Sequence, residues 1–355
     1  MERNLLCSGD NPEIQILLPI GRGMAKKRSY RKKKSVAKMQ PAITDLFLKS
    51  KNHTSGSNRN YVDTARELSK VNRRLYSQSR MYGYQGLTFI WRTNANAPAV
   101  IECSVRTSGN TWIVQNAHTK GEALWHQMQD LVLEDNPSIK GKWHDYKIRL
   151  NDQQVAAREM NAHDGQGAAY LAGEWNLATY VMPQHEVDVS GATGTPKAAV
   201  ELTATLIGDD QTTTRSLVKA YELSRSTVQA DMPNVPAGMG GSFFNLLTDS
   251  GSQEPELADV IEAENDNPPY ALDNYPGADL NASEPVTVGY AAISASEVDG
   301  RIGGFVAPCG LLEIEIVGYN AAGVALTPAE MPEIDILLHV APGSYKGVAA
   351  IPMGQ

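Results

Sequence analysis

The sequence has few cysteines and few aromatic residues. Its three cysteines are Cys7, Cys103 and Cys309, and their wide spacing matches neither a disulfide framework nor a zinc site. We therefore expect a reducing compartment and a fold held together by its core. Aromatic residues make up only 7% of the chain, while Gly, Ala, Thr and Val are plentiful, which favours a sheet protein with many turns over a helical bundle.

Long apolar runs and catalytic motifs are also missing. The stretch Ile14–Ile20 is too short to span a bilayer, and Asp10 and Glu13 before it argue against a secretory signal, so no membrane role is expected. The histidines lie outside any metalloprotease or nucleophile-elbow pattern, and no phosphate-binding loop is present. Gly208–Asp210 has the Gly-Asp-Asp letters of viral RNA polymerases, but it comes after an apparent strand and is interpreted as a turn. We expect neither an enzyme nor a cofactor.

What the chain does have is a strong division of charge. Residues 22–92 contain 18 Lys and Arg against 3 Asp and Glu, whereas residues 93–355 contain 13 against 34. A basic end on an acidic body indicates a polyanionic partner, and nucleic acid is the most common one.

The basic end divides into segments. Residues 1–23 differ in composition from the basic residues after them and are interpreted as an upstream extension, because Met24 opens a typical basic tail. Residues 24–60 are predicted to be a disordered basic arm and linker, since their charges repel one another. The expected phosphate contacts are Arg22, Lys26, Lys27, Arg28, Arg31, Lys32, Lys33, Lys34 and Lys38, with Tyr30 stacking on a base. A nuclear-localisation signal is an alternative role, and the two are compatible.

A second basic element is predicted at residues 61–82, where good helix formers and apolar residues at helical spacing indicate one helix. Its polar face would carry Arg66, Lys70, Arg73, Arg74 and Arg80 towards nucleic acid. The segment from Arg22 to Lys38 has nine positive charges, so about 60 copies of the chain in one assembly would offset on the order of 540 phosphates. A nucleic acid of a few thousand nucleotides would need the helix, small cations or more copies in addition.

Residues 83–355 are predicted to form an all-β shell domain. Helical pieces are expected at 120–134 and 216–229, and an acidic insertion at 232–285. The pattern favours a single jelly roll, an eight-stranded antiparallel β-sandwich with helical and loop insertions. Roughly eight or nine strands are predicted, from the runs Leu87–Arg92, Ala99–Val105, Thr111–Gln115, Trp143–Leu150, Tyr170–Met182, Ala199–Ile207, Val286–Ile293, Leu311–Tyr319 and Ile334–Val340.

The insertion holds the only candidate metal ligands that we single out. Glu262, Glu264 and Asp266 are weak candidates for a Ca²⁺ site between subunits, because hard cations need several convergent oxygens. No twelve-residue Ca²⁺-loop pattern is present, so a solvated acidic loop is favoured and no metal is predicted.

Several strings over Tyr82–Val340 resemble one protein family. They are AGEWNLATYVMPQ (172–184), ELTATLIGDD (201–210), YELSRSTVQ (221–229), ENDNPPYALDNYPG (264–277) and GGFVAPCGLLEIEI (303–316). They are similar to capsid proteins of small circular Rep-encoding single-stranded DNA (CRESS-DNA) viruses. The resemblance implies a jelly-roll fold, an icosahedral shell, an inward basic arm and circular single-stranded DNA as cargo.

The sequence thus predicts a structural protein that assembles with copies of itself around a viral genome. It would be found in the virion, and in the host nucleus during assembly. The alternatives are a cellular nucleic-acid-binding protein with a basic tail, and a jelly-roll coat protein of an RNA virus.

Overall fold

The computed structural model describes ten stretches of the chain, all within the second of two compact units, Met39–Gln355. They are residues 41–51, 58–91, 98–141, 143–182, 187–188, 195–196, 200–225, 284–294, 296–327 and 330–354.

These stretches contain three α-helices and many short strands. The helices are α1 Thr64–Asn72, α2 Trp112–Asp135 and α3 Leu217–Arg225. The strands up to α3 are β1 Asp45–Lys49, β2 Arg59–Asp63, β3 Arg80–Trp91, β4 Val100–Thr107, β5 Thr179–Met182, β6 Val187–Asp188, β7 Thr195–Pro196, β8 Val200–Thr205 and β9 Thr214–Ser216. The later ones are β10 Val286–Ser294, β11 Asp299–Ile302, β12 Phe305–Ala307, β13 Leu311–Tyr319, β14 Ile334–Val340, β15 Pro342–Tyr345 and β16 Ala350–Pro352. The expected all-β class is confirmed at this level.

Two antiparallel sheets form the body. The first has the order β1-β14-β3-β11, with β12 and β16 also paired to β3, and the second has the order β10-β4-β13-β2. Alternate residues of both sheets, such as Leu48, Phe89 and Leu338 of the first and Val105 and Ile314 of the second, belong to one buried cluster. Burial of alternate positions is what antiparallel strands with one core-facing side require.

The long strand β3 changes partner along its length. Its C-terminal half pairs with β11, its N-terminal half with β12 and β16, and its register with β14 shifts near Gly86. Gly86 has a φ of +147°, and a Cβ there would lie 2.2 Å from the Ile302 carbonyl oxygen. Only glycine permits this close approach of two backbones.

A second core lies beside the sheets. It contains α2, α3, the small sheet β5-β8-β9 and the extended segment 146–150, packed around Trp125, Tyr146, Tyr180 and Leu217. All of these elements come from the one long connection between β4 and β10, so they add to the two sheets without interrupting them.

Most predicted strands lie within or overlap observed ones, and two were wrong. Thr111–Gln115 is the start of α2, because the Thr111 side chain accepts a hydrogen bond from the Val114 amide and caps the helix. Trp143–Leu150 forms no regular strand and has only an isolated bridge from Arg149 to Thr205. The strand Leu311–Tyr319 was predicted correctly, and its Glu313 is fully buried.

The predicted arm and linker, residues 24–60, extends too far at its C-terminal end. Asp45–Lys49 forms β1, which pairs with β14, and β2 begins at Arg59. Leu46 and Leu48 of β1 are fully buried in the main core. Apolar burial therefore places this part of the predicted linker within the folded domain.

The predicted helix over residues 61–82 was also wrong in its bounds. Tyr61 and Val62 pair with β13, and Asp63 begins α1 by accepting a hydrogen bond from the Arg66 amide. Arg73 ends the helix in a left-handed conformation with φ 53°, and β3 begins at Arg80. Among the described residues, no helix has the length and apolar content needed to cross a membrane.

Candidate nucleic-acid interface

Most of the residues predicted to bind nucleic acid lie outside the described part of the chain. They are the basic residues of the arm from Arg22 to Lys38, together with Tyr30. The candidate metal ligands Glu262, Glu264 and Asp266 also lie outside the described part. Their roles therefore stay predictions. The five basic residues of the predicted helix are described, and the structure divides them into a buried pair and a group at or near the surface.

Arg66 and Lys70 form the buried pair, with 7% and 8% of their surface exposed. Arg66 Nε donates to Glu67 Oε1 at 2.8 Å, and its other nitrogens bond to Glu159 and to the Met160 carbonyl. Lys70 Nζ donates to both Glu67 oxygens and to Asn161 Oδ1. Both cations therefore have their donors engaged inside the protein, and we do not include them in the proposed contacts with nucleic acid.

The electrostatics of this network follow from its burial. Burial opposes the charge on Arg66, but the carboxylates of Glu67 and Glu159 together raise its pKa above the ordinary value. For Lys70 burial prevails over Glu67, and its pKa is lowered. A buried cation needs such partners because an isolated charge in the interior is very costly.

Arg73, Arg74 and Arg80 are in a different position, at or near the surface. Arg73 is exposed at the C-terminal end of α1, and its side chain has no ion pair or hydrogen bond to any described residue. Arg74 is held in place by the hydroxyl of Tyr76 at 3.0 Å and by the carbonyls of Pro41 and Lys346.

Arg80 belongs to a cluster of cations and tyrosines, which we call the Arg–Tyr cluster. Its guanidinium carbon lies 3.7 Å from the centroid of the Tyr345 ring, which is a stacking distance. Tyr345 packs edge-on against Tyr76, and its hydroxyl accepts a hydrogen bond from the Ser77 amide. The members of the cluster are Arg74, Tyr76, Arg80, Tyr345 and Lys346.

The chemistry of the Arg–Tyr cluster suits a phosphate backbone. Stacking on Tyr345 orients the planar guanidinium of Arg80 and leaves its N–H groups unengaged by other described residues. Arginine held in this way binds phosphate oxygens with two parallel hydrogen bonds. Lys346 and Arg74 use donors on backbone carbonyls, so they contribute positive potential more than direct contacts.

Tyr345 and Lys346 were missed from the sequence. Tyr345 ends β15 and Lys346 begins the turn after it, about 270 residues along the chain from Tyr76. Both reach Tyr76 because β16 pairs with the beginning of β3. The pair Tyr345–Lys346 repeats the aromatic-basic pairing of Tyr30–Arg31, and that was the one available signal.

The Gly-Asp-Asp letters form a bend, as expected. Gly208 has a φ of +97°, Asp210 accepts a hydrogen bond from the Ser216 amide, and Asp209 lies 3.4 Å from Lys219. Within the described stretches, no group of three or more His, Cys, Asp or Glu residues is arranged to hold a metal ion.

Comparison with other proteins adds no family to this picture. No protein-family model matches the sequence, and neither the curated proteins nor the solved structures include a match.

Proposed function

We propose that this chain is a viral coat protein that assembles into an icosahedral shell and packages single-stranded DNA through its basic N-terminal arm. The observation that carries the proposal is the union, in one chain, of a nine-charge basic segment and a two-sheet β domain whose strands pair in nested order. The choice of DNA over RNA rests on the resemblance to CRESS-DNA virus capsid proteins.

The nested order supports a jelly roll. Eight strands make up the paths of the two sheets, in chain order β1, β2, β3, β4, β10, β11, β13 and β14. The first pairs with the last, β2 with β13, β3 with β11 and β4 with β10. This is the pairing of one long antiparallel hairpin rolled into two sheets, which is the arrangement of a jelly roll.

The placement of the insertions supports a shell role. Residues 108–285 all fall between β4 and β10, at one end of a central hairpin, and they include the ten acidic residues of Asp249–Glu284. Jelly rolls tolerate such additions because the paired strands are unaffected. In the proposed particle the acidic insertion faces away from the packaged phosphates.

Phosphate binding has two contributions in this proposal. The arm supplies most of the charge without reading base sequence. Arg73 and Arg80 supply surface charge from the folded domain. Arg66 and Lys70 are not included among the phosphate contacts, because they are buried in its interior. The protein has no catalytic role in this account, and its partners are further copies of itself and the genome, in the virion and in the host nucleus during assembly.

The arm is tested by replacing its nine Lys and Arg residues with Gln in the full chain. Assembled particles are isolated on a gradient, and the nuclease-protected nucleic acid per protein is measured. The proposal expects particles to form, with most of the protected nucleic acid lost, because counterion release by the arm provides the binding free energy. A matched control replaces nine acidic residues of the insertion with their amides, which leaves packaging unchanged.

Unchanged packaging by the Gln variant would overturn the role of the arm. Particles with protected RNA as the sole cargo would favour an RNA-virus coat protein. A monomer or dimer that binds nucleic acid without forming particles would favour a cellular nucleic-acid-binding protein.

A further inference from the structure

A cleft with a volume of about 300 Å³ lies beside the C-terminal end of α1. Its walls include three aromatic side chains, Trp143, Tyr170 and Trp175, together with Leu171 and Arg73. Leu171 is 91% exposed and adds an apolar side chain to this surface.

Two of the three aromatic rings, Trp175 and Tyr170, are held in place from behind. Trp175 Nε1 donates to Asp63 Oδ2 at 3.0 Å, and Asp63 is itself fixed by Gln78 and by the first turn of α1. Lys147 Nζ lies 4.6 Å from the centroid of the Trp175 ring, and Trp175 and Tyr170 both pack against the main core. A ring fixed in this way loses little freedom when a flat ligand stacks on it.

Arg73 is the positive charge of the cleft that is available to a ligand. Lys70 also lines the cleft, but its ammonium bonds to Glu67 and Asn161. Arg73 is exposed and forms no ion pair with a described residue. The cleft therefore combines stacking surfaces with a guanidinium at its rim that pairs with no described residue.

We infer that this cleft binds one unpaired base of single-stranded nucleic acid, stacked on its tryptophans, while Arg73 contacts the adjoining phosphate. Aromatic rings beside a free cation are the usual composition of single-strand binding sites, and they accept any base because every base has a flat face. The volume lies at the low end of the range for small-ligand sites, which suits a single base. The inference rests on the proposed packaging of a single strand and gives the folded domain its own contact with that strand.

The test measures binding of the full chain to two fluorescent probes of ten residues, an oligothymidylate and an abasic oligomer with the same phosphates. Trp143→Ala is expected to weaken binding of the oligothymidylate about fivefold or more and to leave the abasic probe unaffected, because stacking is lost and charge is kept. Trp143→Tyr restores stacking and should restore the affinity, which separates this effect from a loss of folding.

Arg73→Gln should weaken binding of both probes, and more than Arg301→Gln, which removes another surface arginine, one whose side chain is 77% exposed. The inference is overturned if Trp143→Ala leaves the ratio of the two affinities unchanged, or if the two arginine variants behave alike. It is also overturned if nucleic-acid-free particles bury Trp143, since a second copy would then occupy the cleft.

The proposed function is judged separately, by whether the same variants form particles. Particles without a base preference would remove the cleft from the account and keep the shell. A base preference without particles would keep the cleft as a binding site and remove the shell from the account.

Discussion

At the scale of single residues, His118 gives the clearest dependence on pH. It is fully buried in α2, neither ring nitrogen has a hydrogen-bond partner among the described residues, and it packs edge-on against Tyr146. Burial lowers the pKa of His118 from 6.5 to about 4, and the nearby Glu122 only partly opposes this shift. The neutral ring stabilises the fold above pH 6.5, and this contribution is lost as the pH falls towards 4.

We therefore predict that His118→Phe reduces the loss of stability on acidification. Over the window from pH 6.5 to 4, the free energy of unfolding of the wild type should fall by about 3 kcal/mol more than that of the variant. Urea unfolding of the unassembled chain, followed by tryptophan fluorescence at several pH values, measures both slopes. Parallel slopes would show that His118 does not titrate in this way.

The burial of charged side chains is the residue property that the sequence predicts least well. Two of the five basic residues of this region are buried and three lie at or near the surface, although all five carry the same charge: Arg66, Lys70, Arg73, Arg74 and Arg80. The difference depends on Glu67, which is adjacent in sequence to Arg66, and on Glu159, which is 93 residues further along the chain. Only folding brings Glu159 close, so the burial of Arg66 was not visible in advance.

At the scale of elements, α1 is fixed to the domain by its ion pairs. Arg66→Met removes the cation between Glu67 and Glu159, which leaves Glu159 without an ion pair to a described residue and the fully buried Glu67 with Lys70 as its remaining cation. We predict a loss of about 3–5 kcal/mol in the free energy of unfolding. Lys49→Met is the matched control, because its 4.0 Å pair with Glu333 is open to solvent, with 30% and 56% of the two side chains exposed, and its loss should cost less than about 1 kcal/mol.

Chemical denaturation of the two variants and the wild type tests this prediction. Equal stability of Arg66→Met and Lys49→Met would mean that the buried network contributes no more than a surface pair. In that case Arg66 and Lys70 would be free to move outward, and their exclusion from nucleic-acid binding would have to be reconsidered.

Elements were predictable from the sequence where the local pattern was unambiguous. Leu311–Tyr319 and Ile334–Val340 were predicted with their observed bounds, because alternating or continuous β-branched and aliphatic residues have no competing signal there. Thr111–Gln115 has strong strand formers, but a capping threonine and apolar residues at helical spacing make it the first turn of α2. Short strands such as β1 and β11 were missed because they depend on the pairing of distant segments.

At the scale of the whole molecule, the nested pairing of eight strands links the fold to the proposed shell. This order could not be read from the sequence, since β4 and β10 are neighbours in the second sheet although 178 residues separate Thr107 from Val286. The charge division, in contrast, was visible from composition alone. Composition therefore carries the prediction of a nucleic-acid partner, whereas the Arg–Tyr cluster and the tryptophan cleft required the structure.

The central claim is that many copies of this chain build a closed shell. Electron microscopy of the purified full chain after nuclease treatment tests it most directly. The account predicts closed isometric particles of uniform size, with about 60 copies or a multiple of that number. A preparation of well-folded monomers or dimers, with no particles over a range of salt concentrations and with nucleic acid added, would contradict it.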